Sequence, residues 1–399
     1  MPHYNLVYLS TYLDQKLSER FLLPFSPAGL NKKNQLINVM SLQHHVRLLF
    51  VCCFSRLPGR VFWRQRHEIS ENMKLEIPAF LTFPFLNYLF NPFAAFYSLV
   101  MLNRIKRIDF LVLYNLTYET VIPAALMKLF TGVKIIAQLE DGLNPSFGLV
   151  KRSIGKAAAW LGVRLASGVI ANATNFFSGF DDKPSLLFRG VVKPKPVPMQ
   201  TNCLAGQLSI NVVFASTIDN VRGAALLIDF FREAEQIESL KVVNFIICGQ
   251  GDKRYIDQLR DAICVYKQKG GNAEYLGFVS FDTLSSVLKS ADIFLSLQDP
   301  RHSFSGYCFP SKVFEYYGHN RPIIATKISD LETDHFFQNL NFVAYEAREL
   351  EKAILSLKTD MEYHLQINAD NFDRLYTAYS LNANSLLFNQ LLSSIATQK

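Results

Sequence analysis

The stretch NVVFASTIDNVRGAALLIDFFREAEQ, residues 211–236, decides the fold. A β-branched and aromatic run leads into a polar loop, Ile218-Asp219-Asn220-Val221-Arg222-Gly223, and then into apolar residues at helical spacing. The pattern recurs downstream. KVVNFIICG (241–249) precedes the helical DKRYIDQLRDAICVYKQK, AEYLGFV precedes DTLSSVLKSA, and DIFLSLQ precedes a polar loop and SKVFEYYGHN. PIIATK and NFVAY continue the alternation. Short, continuously apolar strands alternating with amphipathic helices predict βαβ units and a parallel sheet covered on both faces. Such crossovers are right-handed, so an α/β, doubly wound domain is expected.

The first half repeats this pattern less cleanly. NLVYLST, HVRLLFVCCF, DFLVLYN, VKIIAQLE and SGVIAN read as strands with helical stretches between several of them. A proline-rich stretch beginning at Gly190, GVVKPKPVPMQTNCLAG, lacks apolar periodicity and reads as a linker. The expected domains are therefore 1–200 and 201–399, with a long last helix over about 366–395 as a candidate to return to the first domain.

Composition narrows the class. A chain of 399 residues with 49% hydrophobic and 19% charged side chains is not intrinsically disordered. No window holds the unbroken apolar run of about 20 residues that a membrane span needs. The start, MPHYNLVYLSTYLDQK, has no basic region followed by an apolar one, so no secretory signal is expected there. Six cysteines without a CxxC pair fit reduced, mostly buried thiols of a cytoplasmic protein.

The net charge of +7 conceals a division. Residues 1–200 carry 23 Lys/Arg against 11 Asp/Glu, whereas residues 201–399 carry 18 against 23. A basic first half suits an anionic partner or merely a soluble surface. No helix-turn-helix, zinc-finger or RNA-binding signature is present, so nucleic acid is not expected as a partner. From Ile77 to Asn103 there is no charged residue, and Arg104, Lys106 and Arg107 follow at once. Pro84, Asn87, Asn91 and Pro92 argue against a spanning helix. Two readings stay open: a buried helix pair, or an interfacial element whose aromatic side chains dip into a bilayer while the cations meet lipid phosphates.

In open α/β sheets, ligands bind beyond the carboxyl ends of the strands. Candidate residues are therefore those that follow each strand: Arg222 and Gly223, then Gly249 and Gly251, then the loop containing Ser305, Gly306 and Tyr307. That loop runs into Pro310-Ser311-Lys312, which suits the first turn of a helix. Helix N–H groups and the Lys312 ammonium together attract a phosphate or diphosphate, and Glu315 lies on the same helix face, suited to sugar hydroxyls. The competing reading makes Ser311 a simple cap, with Lys312 and Glu315 solvated. Glu140 and Asp141 close VKIIAQL and suit orienting or deprotonating an acceptor hydroxyl, or binding a donor hydroxyl. An acidic turn capping the next helix is the alternative. His44 and His45 adjoin a strand and lack metal-ligand partners at a suitable spacing, whereas His302 and His319 flank the segment 305–315 as candidates to touch a ligand there.

FPSKVFEYYGHNRPIIAT (309–326) resembles the donor-binding segment of the glycosyltransferase family 4 group of bacterial, retaining sugar transferases. Their Pro-Ser-Lys-x-x-Glu-Tyr segment is followed by a glycine, a Lys/Arg-Pro pair and a strand. The likeness extends across 201–399 and, more loosely, to SPAGLNKKNQLI and LEDG in the first half. It implies a GT-B fold, two Rossmann-like doubly wound domains facing a cleft, with an acceptor domain followed by a donor domain. It further implies a nucleotide-diphosphate sugar as donor substrate and no cofactor. Glu315 matches the glutamate that binds the donor ribose, and Arg222 and Lys312 match cations that neutralise the departing diphosphate. Gly29, Asn31 and Lys32 fall in the matching acceptor or donor-phosphate loop.

Two positions depart from the pattern. Tyr307 stands where many members carry a glutamate, and Thr217 stands in place of an arginine. Cations around the diphosphate stabilise the charge that develops as the anomeric C–O bond breaks. With no Asp-x-Asp motif, metal-independent transfer is expected, and the resemblance implies retention of configuration. The resemblance implies a glycan acceptor carried on a polyprenyl diphosphate, in capsule, lipopolysaccharide O-antigen or exopolysaccharide synthesis. The basic first half would then lie peripherally on the inner membrane surface from the cytoplasm. The alternative is a catalytically silent scaffold that binds a glycan or a partner transferase, kept open by Tyr307. A nucleotide-linked oxidoreductase is disfavoured, because no GxGxxG follows any strand.

Overall fold

The computed structural model describes residues 2–21, 23, 27–51, 59–70, 73–83, 86–140, 149–193 and 209–398. The chain forms two compact units, Met1–Gly190 with Leu381–Lys399, and Val191–Ser380. The first unit thus ends about ten residues before the expected boundary at 200, and residues 194–208 of the linker reading lie outside the described residues.

In the first unit the strands are β1 (Asn5–Ser10), β2 (His45–Phe50), β3 (Val61–Phe62), β4 (Gln65–Ser70) and β5 (Met73–Ile77). They continue with β6 (Phe80–Leu81), β7 (Phe110–Tyr114), β8 (Lys134–Leu139), β9 (Gly168–Ala171) and β10 (Ser185–Leu187). Eight form one sheet in the order β10-β9-β8-β7-β1-β2-β5-β4, parallel except for β4, which runs antiparallel to β5. β3 and β6 pair separately. The helices are α1 (Gln15–Phe21), α2 (Pro27–Ser41), α3 (Leu86–Ile105), α4 (Tyr118–Thr131) and α5 (Leu149–Leu165).

The central strands bury side chains on both faces, as their unbroken apolar runs require; Leu6, Val7, Tyr8 and Leu9 are all inaccessible. β4 escapes a reading by apolar runs because it is an edge strand built from Gln65, Arg66, His67 and Glu68. Polar side chains on an edge discourage pairing with other chains.

The uncharged segment 77–103 is not a buried helix pair. Its described part supplies the end of β5, the strand β6 and the single helix α3. Asn91 explains why a residue that reads as a breaker sits inside that helix. Its side chain accepts from the Leu81 N–H (2.8 Å) and donates to the Leu81 carbonyl (3.0 Å), binding the helix to β6.

The second unit contains all six expected strands: β11 (Ile210–Ala215), β12 (Val243–Cys248), β13 (Asn272–Gly277), β14 (Ile293–Ser296), β15 (Ile323–Thr326) and β16 (Asn341–Val343). They form an all-parallel sheet in the order β13-β12-β11-β14-β15-β16. Its helices are α6 (Ala224–Glu233), α7 (Ile237–Leu240), α8 (Lys253–Gln268), α9 (Phe281–Ser290), α10 (Lys312–Tyr317), α11 (Ser329–Glu332), α12 (Ala347–Thr359) and α13 (Met361–Tyr379). The chain leaves β11 toward β12 and β13, then crosses to β14 on the other side, so the switch point of the sheet lies between β11 and β14.

The expected last helix is in fact two. Ser380 takes an extended conformation (φ −63°, ψ 162°) between α13 and α14 (Leu381–Thr397). Phe372 and Leu375 of α13 pack in the core of the second unit. α14 belongs to the first unit, where Asn389 Oδ1 meets His44 Nε2 at 2.6 Å and Lys134 Nζ donates to the Ala396 carbonyl at 3.1 Å. Among the described cysteines, Cys248 and Cys308 are buried and Cys264 is exposed. No described helix is long and apolar enough to cross a membrane.

Candidate functional site

Each unit carries a polar cluster beyond the carboxyl ends of its strands. In the second unit the cluster surrounds the switch point. The loop after β11 ends at Gly223, whose φ of +92° is left-handed and whose absent Cβ would lie 2.0 Å from the Leu297 carbonyl oxygen. Only glycine lets that loop close on the end of β14. Arg222 is folded back: its N–H donates to Asp219 Oδ1 at 2.8 Å and its Nη1 to Asp219 Oδ2 at 3.0 Å. Gly249 and Gly251 are likewise required by neighbouring backbone, since their Cβ atoms would sit 1.8 Å from the Ser216 oxygen and 2.0 Å from the Ile218 oxygen. Both glycines are thus accounted for by packing of the β12 turn on the β11 loop.

After β14, the Asp299 N–H donates to the Val221 carbonyl at 2.8 Å, tying the two loops together. Burial acts against the charge on Asp299, but two hydrogen bonds from the Arg301 guanidinium (3.0 and 3.1 Å) overcome it and hold the carboxyl below its usual range. The buried Ser305 hydroxyl donates to the Asp299 carbonyl within the same loop. Gly306 is half-buried and Tyr307 exposed, while Pro310 and Ser311 are half-buried. Ser311 does not cap α10; its backbone is already helical and its side chain makes no cap hydrogen bond.

Lys312 Nζ donates to Glu315 Oε2 at 2.6 Å, so the ammonium and the carboxylate share one face, as their spacing predicts. The next residue anchors them. The Tyr316 hydroxyl accepts from the Ala215 N–H at 3.3 Å and donates to the Ala215 carbonyl at 3.2 Å, and its ring stacks on Phe294 at 4.3 Å. The β11–β14 ladder is registered over Val212 and Val213 only, so Tyr316 fills the place between β11 and β14 where the strands separate. The structure therefore gathers the loops of Arg222, Gly223 and Ser305, together with Lys312 and Glu315, around one switch point.

In the first unit the candidate residues meet differently. Glu140 follows β8 and is 3% exposed. Its Oε1 accepts from Gln138 Nε2 (2.9 Å); its Oε2 accepts from Asn172 Nδ2 (3.1 Å) and Lys32 Nζ (3.3 Å). The Glu140 N–H donates to Asn115 Oδ1 at 2.9 Å, and Gln138 in turn accepts from the Tyr8 hydroxyl at 2.7 Å. Burial pushes the Tyr8 phenol well above its usual range, with the charge of Glu140 adding to the shift, so it stays a donor. Asp141 lies outside the described residues.

Gly29, Asn31 and Lys32 sit not in a loop but in α2, a helix of 15 residues. Asn31 is exposed and Gly29 half-buried, and Lys32 bonds to the Glu140 cluster. Tyr8, Asn115, Gln138 and Asn172 were not expected from the sequence. Their signal is a polar residue within or just past the end of an apolar strand (VLYN, IIAQLE, VIAN), which gains meaning only once the strand order makes the ends adjacent.

Residues 209–360 match the family model described as Glycosyl transferases group 1. The matched region lies within the second unit and contains every candidate residue of that unit from Arg222 to Glu315. No curated protein sequence matches the chain.

Among solved structures, HepE of Anabaena, crystallised with UDP and glucose, is 16% identical, with a TM-score of 0.66 over 98% of this chain and 100% of that one. An α,α-trehalose-phosphate synthase (UDP-forming) from Burkholderia xenovorans is 10% identical, with a TM-score of 0.70 over 98% and 100%. Sucrose-phosphate synthase from Thermosynechococcus elongatus is 13% identical, with a TM-score of 0.64 over 99% of both chains. The architecture that the two units share with these structures is the GT-B fold.

Proposed function

We propose that the protein transfers a sugar from a nucleotide-diphosphate donor to a glycan acceptor. The observation that carries this reading is the gathering of Lys312, Glu315 and the Arg222 loop at the switch point of a group 1 glycosyl transferase domain. Both cations rest on neighbouring carboxylates, Lys312 on Glu315 and Arg222 on Asp219. These pairs are partly solvated and worth little in themselves, so a diphosphate displaces them at small cost. Arg222 and Lys312 then hold the leaving diphosphate as its charge grows, which serves in place of a divalent metal. Freed from Lys312, the Glu315 carboxylate accepts from the ribose hydroxyls. Uridine diphosphate is the first donor base to test, because HepE was crystallised with UDP.

Glu140 is assigned an orienting role. Its oxygens already accept from Gln138, Asn172 and Lys32, so the carboxylate is held in place and fixes the Lys32 ammonium beside an acceptor or donor hydroxyl. Transfer proceeds with retention, and a polyprenyl-diphosphate-linked glycan of a cell-surface polysaccharide pathway is the acceptor. The protein works from the cytoplasm as a peripheral partner of the inner membrane. Lipopolysaccharide and capsule synthesis are both pathways of this kind.

The deciding measurement is a thermal-shift and calorimetric screen with uridine and guanosine diphosphates and their sugars. A ligand at 100 times its dissociation constant stabilises by about 2.7 kcal/mol. The Lys312→Ala/Glu315→Ala double variant is expected to lose this response. If no nucleotide diphosphate binds the wild-type chain, the transferase reading falls, and the scaffold reading raised by Tyr307 takes its place.

A further inference from the structure

α3 differs from an ordinary surface helix in carrying apolar side chains on its outward as well as its inward side. Its polar Asn91 and Ser98 face inward with Ala95, Leu99 and Leu102, all buried. The outward side carries Leu86, Leu89, Phe90, Phe93 and Tyr97, which are 41–65% exposed. At about 100° per residue these five fall within one stripe roughly 100° wide and about 17 Å long. Arg104 lies five turns beyond Leu86 and continues the same stripe. A helix that is apolar on every side is normally enclosed, and exposed apolar patches of this size mark a docking surface. Phe130 of α4, 70% exposed, widens the patch, its ring 5.8 Å from Phe96 of α3.

The charges around the stripe select its occupant. No acidic residue occurs from Ile77 to Ile108, and Arg104, Lys106 and Arg107, all exposed, close its carboxyl end. The backbone that carries them is anchored, because the buried Arg47 guanidinium donates to the Leu102 carbonyl at 2.8 Å and the Lys106 carbonyl at 3.0 Å. A second copy of the same face would bring two basic rims together, whereas anionic phosphates neutralise them. An apolar aromatic stripe ending in arginine and lysine fits the boundary between lipid headgroups and acyl chains.

We infer that the outward face of α3 lies flat on an anionic lipid membrane, with Leu89, Phe93 and Tyr97 in the interface and Arg104, Lys106 and Arg107 on lipid phosphates. This assigns a surface to the membrane contact included in the proposed function, and it stands without the transfer chemistry.

The test is co-sedimentation of the full chain with vesicles of phosphatidylglycerol and phosphatidylcholine, against vesicles of phosphatidylcholine alone. Binding is expected only to the anionic vesicles. Arg104→Ala/Lys106→Ala/Arg107→Ala should weaken it by roughly 100-fold, and Leu89→Gln/Phe93→Gln should weaken it by at least about 10-fold. Both variants change exposed side chains, and an unchanged circular dichroism spectrum checks their folding. No binding by the wild type, or equal binding by wild type and folded variants, overturns the inference. A concentration-dependent dimer abolished by Leu89→Gln/Phe93→Gln overturns it too, assigning the stripe to a second copy. Nucleotide titration of the same samples separates this outcome from failure of the transferase reading.

Discussion

Glu315 and Glu140 are both paired with lysine, yet the two pairs differ in nearly every physical respect. The Lys312–Glu315 pair joins residues three apart on one short helix, with side chains 34% and 41% exposed. The Lys32–Glu140 pair joins residues 108 apart, and the glutamate side chain is 4% exposed. The first is local and solvated, hence cheap to open. The second is enclosed, its carboxylate also accepting from Gln138 and Asn172, so removing that carboxylate breaks buried hydrogen bonds. A site that must exchange a solvated partner for a diphosphate is built like the first, and a site that must hold one side chain in place is built like the second.

The largest expected effect contrasts the two directly. Glu140→Ala should cost about 2–4 kcal/mol of unfolding free energy, whereas Glu315→Ala should cost at most about 0.5 kcal/mol. Urea denaturation of both variants measures this, and equal costs would erase the distinction. A mid-sized effect is expected at Tyr316, which is buried and bonded to both polar groups of Ala215. Tyr316→Phe should lose about 1–2 kcal/mol and also weaken nucleotide binding, because the anchor of the Lys312–Glu315 helix is gone. Lost stability with unchanged nucleotide affinity would show that α10 keeps its position without that hydroxyl.

The smallest effect is a pH dependence. Burial lowers the pKa of His44, His45, His319 and His364, in both units. For a base whose folded pKa is depressed, the unfolded chain binds the proton first. The stability these residues contribute is therefore complete above the unfolded value of about 6.5 and declines as the pH falls below it. His44→Gln should flatten that decline in the first unit, where the ring meets Asn389 of α14. A decline equally steep in His44→Gln would place its origin elsewhere.

The second unit was legible because its information is local. Apolar runs, the glycine before α6 and the Pro-Ser-Lys-x-x-Glu-Tyr segment each lie within one window of sequence. Gly223 is visible in this way even though the Leu297 carbonyl that demands it is 74 positions away. The first unit was harder to read. β4 has no apolar run, β10 has three residues, and α2 occupies the place of an expected loop.

By itself, the sequence determined the alternation of strand and helix, the all-parallel sheet of the second unit and the place of Lys312 and Glu315 on one short helix. These depend on periodicity and on spacing within a turn or two of helix. Only the tertiary structure decided that Tyr8, Asn115, Gln138 and Asn172 enclose Glu140, that Tyr316 sits where β11 and β14 part, and which side of α3 faces water. Strand order and burial set those outcomes, through contacts between residues far apart in the chain, and no local window of sequence carries them.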